Sequence, residues 1–215
     1  MRSILIAAKE LDHAKTRLAP ALPPGERRVL AEAMFRDVLA ASLASRVADQ
    51  VAVITSDRLL LEVARAAGAY TIDEEYPRGL NVAVGIGTAH LANLGADTVC
   101  TVLSDIPMIT GDDIDDAFHA MPPAGAGVVL VPSRDFSGTN VIVRSPAGVV
   151  RTRFGRMSLV KHREDCRNRG VPCEVLRLMR PALDLDLTTD LAEFVRAGTT
   201  THTHNHLARL GIAHH

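Results

Sequence analysis

Residues 98–107 read TVCTVLSDIP, a β-branched and apolar run that ends in a serine, an aspartate and a proline. The apolar part has the length and continuity of a strand covered on both faces, as strands of a parallel sheet are. Helical periodicity precedes this run over residues 79–94 and follows it over residues 112–120. The stretch therefore predicts a helix–strand–helix unit in which Asp105 follows the carboxyl end of a buried strand.

The same alternation continues in both directions along the chain. It predicts further strands at residues 4–6, 51–54, 70–72, 127–131, 141–143 and 175–178, and further helices at residues 30–39, 59–67, 158–169 and 188–197. Such an order is typical of an α/β fold with a mostly parallel (mixed) sheet and helices on both faces. No change of composition marks a boundary. We therefore expect a single domain over residues 1–200 and a histidine-rich C-terminal tail over residues 201–215.

The composition argues against several classes of protein. Aromatic residues make up 3% of the chain and the net charge is -1, so neither base stacking nor a basic field predicts a nucleic-acid partner. No apolar run reaches the roughly 18 residues that a membrane span needs. The opening MRSILIAAKE favours a buried first strand over a secretory signal. The three cysteines lack metal-type spacing, which predicts a reduced, cytoplasmic protein. The sequence leaves a homodimer open.

A loop that follows the first predicted strand carries three cations. Lys9, Lys15 and Arg17 lie within nine residues, and the carboxyl ends of strands are where open α/β sheets bind ligands. Lysine supplies a point charge, and arginine can bridge two phosphate oxygens at once. The loop is thus a candidate triphosphate site, and a solvated surface loop is the alternative.

Three aspartates are candidate metal ligands. Asp105 follows a buried strand, where a bare carboxylate is costly unless it is paired or bound to a cation. In Leu183–Leu187 the residues alternate strictly, so an extended chain places Asp184 and Asp186 on one face. Carboxylates of this kind, together with phosphate oxygens, suit a magnesium ion. The alternatives are a turn aspartate at Asp105 and an edge strand with a solvated face at 183–187. Asp190, just beyond, reads as a helix-capping residue.

Two polar loops could contact an anionic substrate. Residues 133–140 contain Gly138, which permits close approach of the backbone, and Thr139 and Asn140, which offer donors. Gly155 precedes a predicted helix for which Ser158 is the expected N-cap, an arrangement that can bind an anion. Taken alone, each loop is more often an ordinary turn.

The histidines carry less information. His13, His90, His119 and His162 are scattered along the chain and are expected to be structural or solvated. The tail contains five more, which could bind a transition metal, although a flexible polar tail is the favoured interpretation; they are His202, His204, His206, His214 and His215.

Taken together, five segments resemble one family, the CofC-type 2-phospho-L-lactate guanylyltransferases of coenzyme F-420 biosynthesis. The segments occur in the family's order and span nearly the whole chain: Ala8–Lys9 with Ala14–Leu18, Gly79–Asn81, Leu103–Pro107, Pro132–Asp135 with Gly138–Asn140, and Leu183–Leu191.

The resemblance implies a glycosyltransferase-A-like nucleotidyltransferase fold and the transfer of GMP from GTP to a phosphorylated three-carbon acid. It also implies roles for individual residues: Asp105, Asp184 and Asp186 would hold Mg²⁺, Thr139, Gly155 and Ser158 would contact the acid, and Leu80 and Asn81 would meet the nucleotide alongside Lys9, Lys15 and Arg17. The implied catalytic set is Lys9, Lys15, Arg17 and Asp105.

The chain departs from the family pattern at two places. Ser137 stands where the family usually has a glycine, and Arg156 and Met157 replace a Pro-Gly pair beside the expected acid site. The acid therefore stays open among 2-phospholactate, phosphoenolpyruvate and 3-phosphoglycerate. Three other readings are a nucleotidyltransferase for a molybdenum-cofactor or sugar-phosphate acceptor, a catalytically silent nucleotide or phospho-acid sensor, and a metal carrier acting through the histidine tail.

Overall fold

The computed structural model describes residues 1–123, 125–198 and 200–212 of the chain. Within them one seven-stranded sheet has the order β3-β2-β1-β4-β6-β5-β7. Its strands are β1 (Arg2–Ala7), β2 (Gln50–Thr55), β3 (Tyr70–Asp73), β4 (Thr98–Leu103), β5 (Gly127–Pro132), β6 (Thr139–Ser145) and β7 (Cys173–Val175). All adjacent pairs are parallel except the two that involve β6. The prediction of a mostly parallel, mixed sheet is confirmed.

Seven α-helices connect or follow the described strands. They are α1 (Pro24–Leu43), α2 (Arg58–Ala66), α3 (Leu80–Asn93), α4 (Gly111–His119), α5 (Ser158–Arg169), α6 (Thr188–Arg196) and α7 (His202–Arg209), and two short 3₁₀ turns (Leu11–His13 and Thr16–Leu18) follow β1. None of the helices in the described part of the chain has both the length and the apolar character that crossing a membrane requires.

The helices cover both faces of the sheet, as the alternation predicts. Successive residues of β1 enter opposite cores: Ile4 and Ile6 pack with α1 and α4, whereas Leu5 packs with α3. Because each face is closed, the strands are largely apolar on both sides, although β1, β4 and β6 also bury the polar side chains of Ser3, Thr101 and Arg144. Full burial of one aliphatic side chain contributes about 1.5–3 kcal/mol, so the aliphatic core is sufficient without tryptophan.

The C-terminal segment differs from the prediction of a flexible tail. Residues 202–209 form α7, which packs on α1 with Leu207 fully buried. The carboxylate of Asp37 accepts hydrogen bonds from the backbone N–H groups of His202 (2.8 Å) and Thr203 (2.9 Å), which caps the start of the helix. The prediction of a flexible tail was therefore wrong for these residues. Thr201 is a local N-cap, whose Oγ1 accepts from the N–H of His204 at 3.1 Å, but the contact of His202 with Asp37, 165 residues away, cannot be recognised locally. His214 and His215 lie outside the described residues.

One strand boundary also differs. The strand predicted at residues 175–178 is observed at Cys173–Val175, where it pairs with β5 from Val128 to Leu130. The register of this pairing, a long-range contact, determines which part of the apolar segment becomes β7.

Candidate active site

The carboxyl ends of β1 and β4 bring the predicted residues to one edge of the sheet. The two strands are parallel neighbours, and Ala7 at the end of β1 pairs with Leu103 at the end of β4. Lys9 and Asp105 therefore leave the sheet side by side. The loop between β5 and antiparallel β6 reaches the same edge, so Thr139 joins them from a third direction.

Lys15 forms the centre of the site. It lies between the two 3₁₀ turns in a left-handed conformation with φ +52°, and its side chain is 7% exposed. Its Nζ lies 2.8 Å from Oδ2 of Asp105 and 2.7 Å from Oδ1 of Asp186. Burial alone would lower the pKa of Lys15, but the charges of these two aspartates outweigh it and raise that pKa above its ordinary value. A lysine predicted to meet a triphosphate thus neutralises two carboxylates here.

The segment 183–187 runs extended without joining the sheet. Leu183 and Leu185 are buried, whereas Asp184 and Asp186 are half-buried, so the predicted alternation of faces holds although no strand forms. The backbone N–H of Leu185 donates to the carbonyl oxygen of Asp105 at 3.1 Å, which holds the two acidic segments together.

The two aspartates of this segment have opposite pKa shifts. Burial would raise the pKa of Asp186, but Lys15 and then Arg17, whose Nη1 is 3.3 Å away, lower it. Burial, followed by the charges of Asp105 and Asp186, raises the pKa of Asp184 to about 6. Asp184 is therefore the carboxylate for which this cluster provides too little positive charge.

A divalent cation would suit the donors in this cluster. Oδ1 of Asp105 is buried and has no hydrogen-bond partner among the described residues. Together with the raised pKa of Asp184, this oxygen indicates a site with unsatisfied negative charge and oxygen ligands only, which hard cations such as Mg²⁺ prefer. In residues 1–123, 125–198 and 200–212, no group of three or more His, Cys, Asp or Glu side chains is already close enough to hold a metal ion. The magnesium site stays a prediction.

Two cavities meet at the carboxylates. One, of about 330 Å³, is lined by the loop that follows β1, including His13, Lys15 and Thr16. The other, of about 690 Å³, is lined by Thr139, Gly155 and Ser158 together with residues of the 183–187 segment. Residues shared by both are Lys9, Arg17, Leu80, Leu103, Asp105 and Asp186. Lys15 thus lines only the smaller of these two cavities and the predicted acid residues only the larger, while the other two cations and Leu80 line both.

The loop 133–138 is held by its own hydrogen bonds. Ser133 Oγ accepts from the backbone N–H of Gly138 at 2.7 Å and donates to Asp135 at 2.7 Å. A Cβ on residue 138 would lie 2.8 Å from that Oγ, so glycine is required for this close approach. Asn140 donates to the carbonyl oxygen of Pro181 at 2.9 Å and so supports the acidic segment; the structure uses it as a brace and not as a free donor.

The turn before α5 also differs in detail from the prediction. The N-cap of α5 is Met157, at φ +57°, and Ser158 is the first helical residue, so the predicted N-cap was one residue too late. Gly155 has φ +111°, a conformation that side chains rarely adopt. Arg156 is exposed and lines the larger cavity, whereas Met157 does not.

Asn81 is placed apart from both cavities. Its Oδ1 accepts from the backbone N–H of Phe154 at 2.7 Å, and its Nδ2 donates to the carbonyl of the same residue at 3.0 Å. Both polar ends of its side chain are thereby used to join α3 to the turn at Gly155. Contact of Asn81 with a nucleotide stays a prediction, while Leu80 does line both cavities.

His162 and Asp190 both support the site from behind, but only the role of Asp190 could be predicted from the sequence. His162, expected to be structural or solvated, is fully buried and contacts Thr139. Asp190 accepts from the backbone N–H groups of Asp186 (3.1 Å) and Leu187 (2.7 Å), which confirms its capping role. Only the three-dimensional fold could have shown that His162 lies behind the larger cavity.

Comparison with known proteins identifies the family. A family model described as guanylyl transferase CofC like matches residues 2–215. The chain belongs to the CofC-like guanylyltransferase family. It is accordingly a nucleotidyltransferase, and the resemblance inferred from the five segments is confirmed.

Curated relatives of this CofC-like protein differ in the acid that their names state. A phosphoenolpyruvate guanylyltransferase of Sphaerobacter thermophilus is 36% identical over 88% of the chain and 90% of that relative. A 2-phospho-L-lactate guanylyltransferase of Methanothermobacter thermautotrophicus is 35% identical over 96% of the chain and 89% of the relative. A 3-phospho-D-glycerate guanylyltransferase of Phenylobacterium zucineum is 32% identical over 91% and 90%, respectively.

Solved structures confirm the fold of the CofC-like chain. A Desulfovibrio desulfuricans protein described as a nucleotide-diphospho-sugar transferase superposes with a TM-score of 0.77 at 17% identity, covering 99% of this chain and 96% of the other. A nucleotidyl transferase of Methanothermobacter thermautotrophicus gives a TM-score of 0.60 at 16% identity, with 98% and 99% covered. The predicted glycosyltransferase-A-like nucleotidyltransferase fold is confirmed.

Proposed function

We propose that this protein transfers GMP from GTP to a phosphorylated three-carbon acid and releases pyrophosphate. One observation supports this most directly: the cluster of Lys15 with Asp105 and Asp186 stands at the junction of two cavities. A nucleotidyl transfer needs two anionic substrates to meet at one phosphorus atom, with cationic groups on both sides. The family relationship supplies the class of reaction.

The smaller cavity suits the nucleotide. Lys9, Lys15 and Arg17 line it and can neutralise the triphosphate and the departing pyrophosphate. A third cavity of about 150 Å³ adjoins it, with apolar walls that include Ala7, Leu80 and Ala83 and dimensions suited to a nucleobase. The guanine base is placed there by this proposal.

Magnesium is the cofactor proposed for the carboxylates. Asp105, Asp184 and Asp186 would hold it, and the unpartnered Oδ1 of Asp105 and the raised pKa of Asp184 support that fit. When bound, the ion reduces repulsion between the phosphates and acts as a Lewis acid on them. Lys15, which neutralises part of the same cluster, would then be free to contact a phosphate group.

The chemistry requires no general base from the protein. An oxygen of the acid's phosphate group attacks the α-phosphorus of GTP, the bond from that phosphorus to the bridging oxygen breaks, and pyrophosphate leaves with the electron pair. The attacking oxygen is already anionic at neutral pH. What the chain supplies is position and charge: Thr139 and Ser158 orient the acid, while Lys9 and Arg17 stabilise the leaving group.

The acid is one of the three that the relatives' names state: phosphoenolpyruvate, 2-phospho-L-lactate or 3-phospho-D-glycerate. Arg156, exposed in the larger cavity, adds a cation that can meet the carboxylate of any of them. A place in coenzyme F-420 biosynthesis and a cytoplasmic location belong to the same proposal.

The test is a pyrophosphate-release assay with each nucleoside triphosphate against the three acids, a sugar phosphate and molybdopterin. We expect release with GTP and at least one of the acids, and none without an acid. Asp105→Asn should abolish release. Asp112→Asn is the matched control, because Asp112 pairs with Arg46 at 2.7 Å and lines neither cavity. Tight binding of an acid with no release for any nucleotide would instead indicate a sensor, and release only with another acceptor would refute the assigned substrate.

A further inference from the structure

His162 lies directly behind the larger cavity. It is fully buried on α5, and its Nδ1 is 3.1 Å from Oγ1 of Thr139. Thr139 lines the cavity at the start of β6, whereas His162 does not line it. The histidine can therefore influence a ligand in this cavity through the threonine hydroxyl.

The hydrogen bonds determine which nitrogen of His162 carries the proton. The backbone N–H of Arg153 lies 2.7 Å from Nε2, and a backbone amide can only donate, so Nε2 presents its lone pair. Burial, followed by the charge of Arg144, lowers the pKa of His162 to about 4, so the ring is neutral at physiological pH. A neutral ring with an accepting Nε2 carries its proton on Nδ1.

The direction of the next hydrogen bond follows. Nδ1–H donates to Oγ1 of Thr139, which leaves the single hydroxyl proton of Thr139 unused in this contact. That hydroxyl makes no other hydrogen bond among the described residues. Its proton is free to be donated to a ligand in the cavity that Thr139 lines.

We propose that His162 is a positioning residue that fixes the hydroxyl of Thr139 as a hydrogen-bond donor toward the anionic acid substrate. The inference rests on the proposed function, because that function places the acid in this cavity. If Nδ1 of His162 carried no proton, it would accept the hydrogen bond of the Thr139 hydroxyl. Thr139 would then present only an oxygen lone pair to the anionic acid. Fixing the donor in advance removes that repulsive arrangement and the entropy of a rotating hydroxyl.

Two variants of equal shape separate hydrogen bonding from packing. Asparagine carries its N–H₂ group on Cγ, at the position of Nδ1, while leucine has the same branching without a donor. Both lose the edge contact of the ring with Phe154, so the difference between them reports the hydrogen bond. We expect His162→Leu to raise the KM for the acid about twofold to tenfold, because the hydroxyl of Thr139 can still donate but is no longer held in the donating orientation before the acid binds. The KM for GTP should stay unchanged, and His162→Asn should stay close to the unmodified protein.

A double-mutant cycle with Thr139→Val tests whether His162 acts through Thr139. Valine has no hydroxyl to orient, so His162→Leu should add little to the KM for the acid in that background. Equal effects of His162→Leu in both backgrounds would show a general structural role and overturn the inference. So would an unchanged KM for the acid in a folded His162→Leu protein.

The tautomer gives a readout that is independent of turnover. Nitrogen-15 NMR of the histidine rings should show His162 protonated at Nδ1 only, and a proton on Nε2 would overturn the inference. The outcomes also separate the two proposals. If no acid supports pyrophosphate release, the proposed function fails and the role toward an acid fails with it, although the NMR spectrum still decides the direction of the hydrogen bond. If an acid is used but the cycle is additive, only the inference about His162 fails.

Discussion

The ammonium group of Lys15 lies 2.8 Å from the carboxylate of Asp105, although the two residues are 90 positions apart in the chain. The same ammonium group is 2.7 Å from Asp186, so one cation is shared between two acidic segments. Asp184 receives no such partner within the described residues, and its pKa is raised to about 6. The site is therefore partly neutralised by Lys15, and a bound divalent cation would neutralise the negative charge that remains.

Replacing Lys15 by methionine should destabilise the metal-free protein by about 1–2 kcal/mol at pH 7.5, because it leaves Asp105 and Asp186 without their cation. The cost is below that of a fully buried pair, since the aspartates are 26% and 34% exposed. Urea unfolding in the presence of EDTA measures it. Lys161→Met, at an exposed lysine that contacts only a backbone carbonyl, is the control and should change stability little. A Lys15→Met protein as stable as the control would contradict the ion-pair assignment.

Asp184 should make the stability of the metal-free protein depend on pH in an unusual direction. Its folded-state pKa of about 6 exceeds the unfolded value of about 4, so the folded protein binds the proton more tightly. Stability is thereby lost as the pH rises from about 4 to about 6, and the cost is complete above that range. Asp184→Asn should stabilise the metal-free protein by about 1–2 kcal/mol at pH 7.5, after allowance for solvent screening, and by nothing near pH 4. Chemical denaturation at the two pH values checks this, and equal effects at both would rule out a raised pKa.

In the presence of magnesium and GTP, Asp184→Asn should make the protein less stable than the unmodified protein, the opposite of its effect without metal. With millimolar Mg²⁺ and GTP the unmodified protein should gain several degrees in Tm, because ligands that bind only the folded state stabilise it by mass action. Asp184→Asn and Asp105→Asn should lose this gain, and EDTA should remove it from the unmodified protein. A calorimetric scan with and without the metal provides the measurement. A full Mg²⁺-dependent gain in both variants would show that the ion binds elsewhere.

Much of this arrangement could be predicted from the sequence. Asp105 was identifiable because it directly follows a buried strand, and Asp184 with Asp186 because alternation of leucine and aspartate separates two faces. The pairing of Lys15 with Asp105 and Asp186 could not be predicted, because it depends on where segments 90 and 171 residues away in the chain converge with its loop. The same holds for His162, whose two hydrogen bonds come from β6 and from the turn before α5. The helix α7 was missed although Thr201 is a local N-cap, since its packing on α1 and its hydrogen bonds to Asp37 are long-range contacts.

Met157→Gly should stabilise the protein by about 0.5–1 kcal/mol. Met157 has φ +57°, where a side chain costs about 1–2 kcal/mol, and glycine removes that cost while adding entropy to the unfolded chain. The side chain of Met157 is 45% exposed, so little packing is lost. Urea titration of the variant measures the change, and destabilisation would indicate that the left-handed N-cap depends on the methionine side chain.

Arg156→Ala should weaken use of the acid without affecting GTP. Arg156 lines only the larger of the two cavities that meet at the carboxylates, so its guanidinium can reach the acid's carboxylate but not the nucleotide site. Loss of one such charge-assisted contact corresponds to about a tenfold rise in KM for the acid. Steady-state kinetics with each acid in turn would also show which of them depends most on Arg156. An unchanged KM for every acid would remove Arg156 from the acid site.

The most direct measurement is phosphorus-31 NMR of the products formed when the protein is incubated with GTP, Mg²⁺ and each of the three acids. Transfer of GMP predicts, for at least one acid, a new pair of mutually coupled signals from a diphosphate joining guanosine to the acid, appearing together with an equal amount of pyrophosphate. Formation of GDP with inorganic phosphate, or of pyrophosphate and GMP without the coupled pair, would mean that the protein hydrolyses GTP and transfers nothing, and would contradict the proposed function.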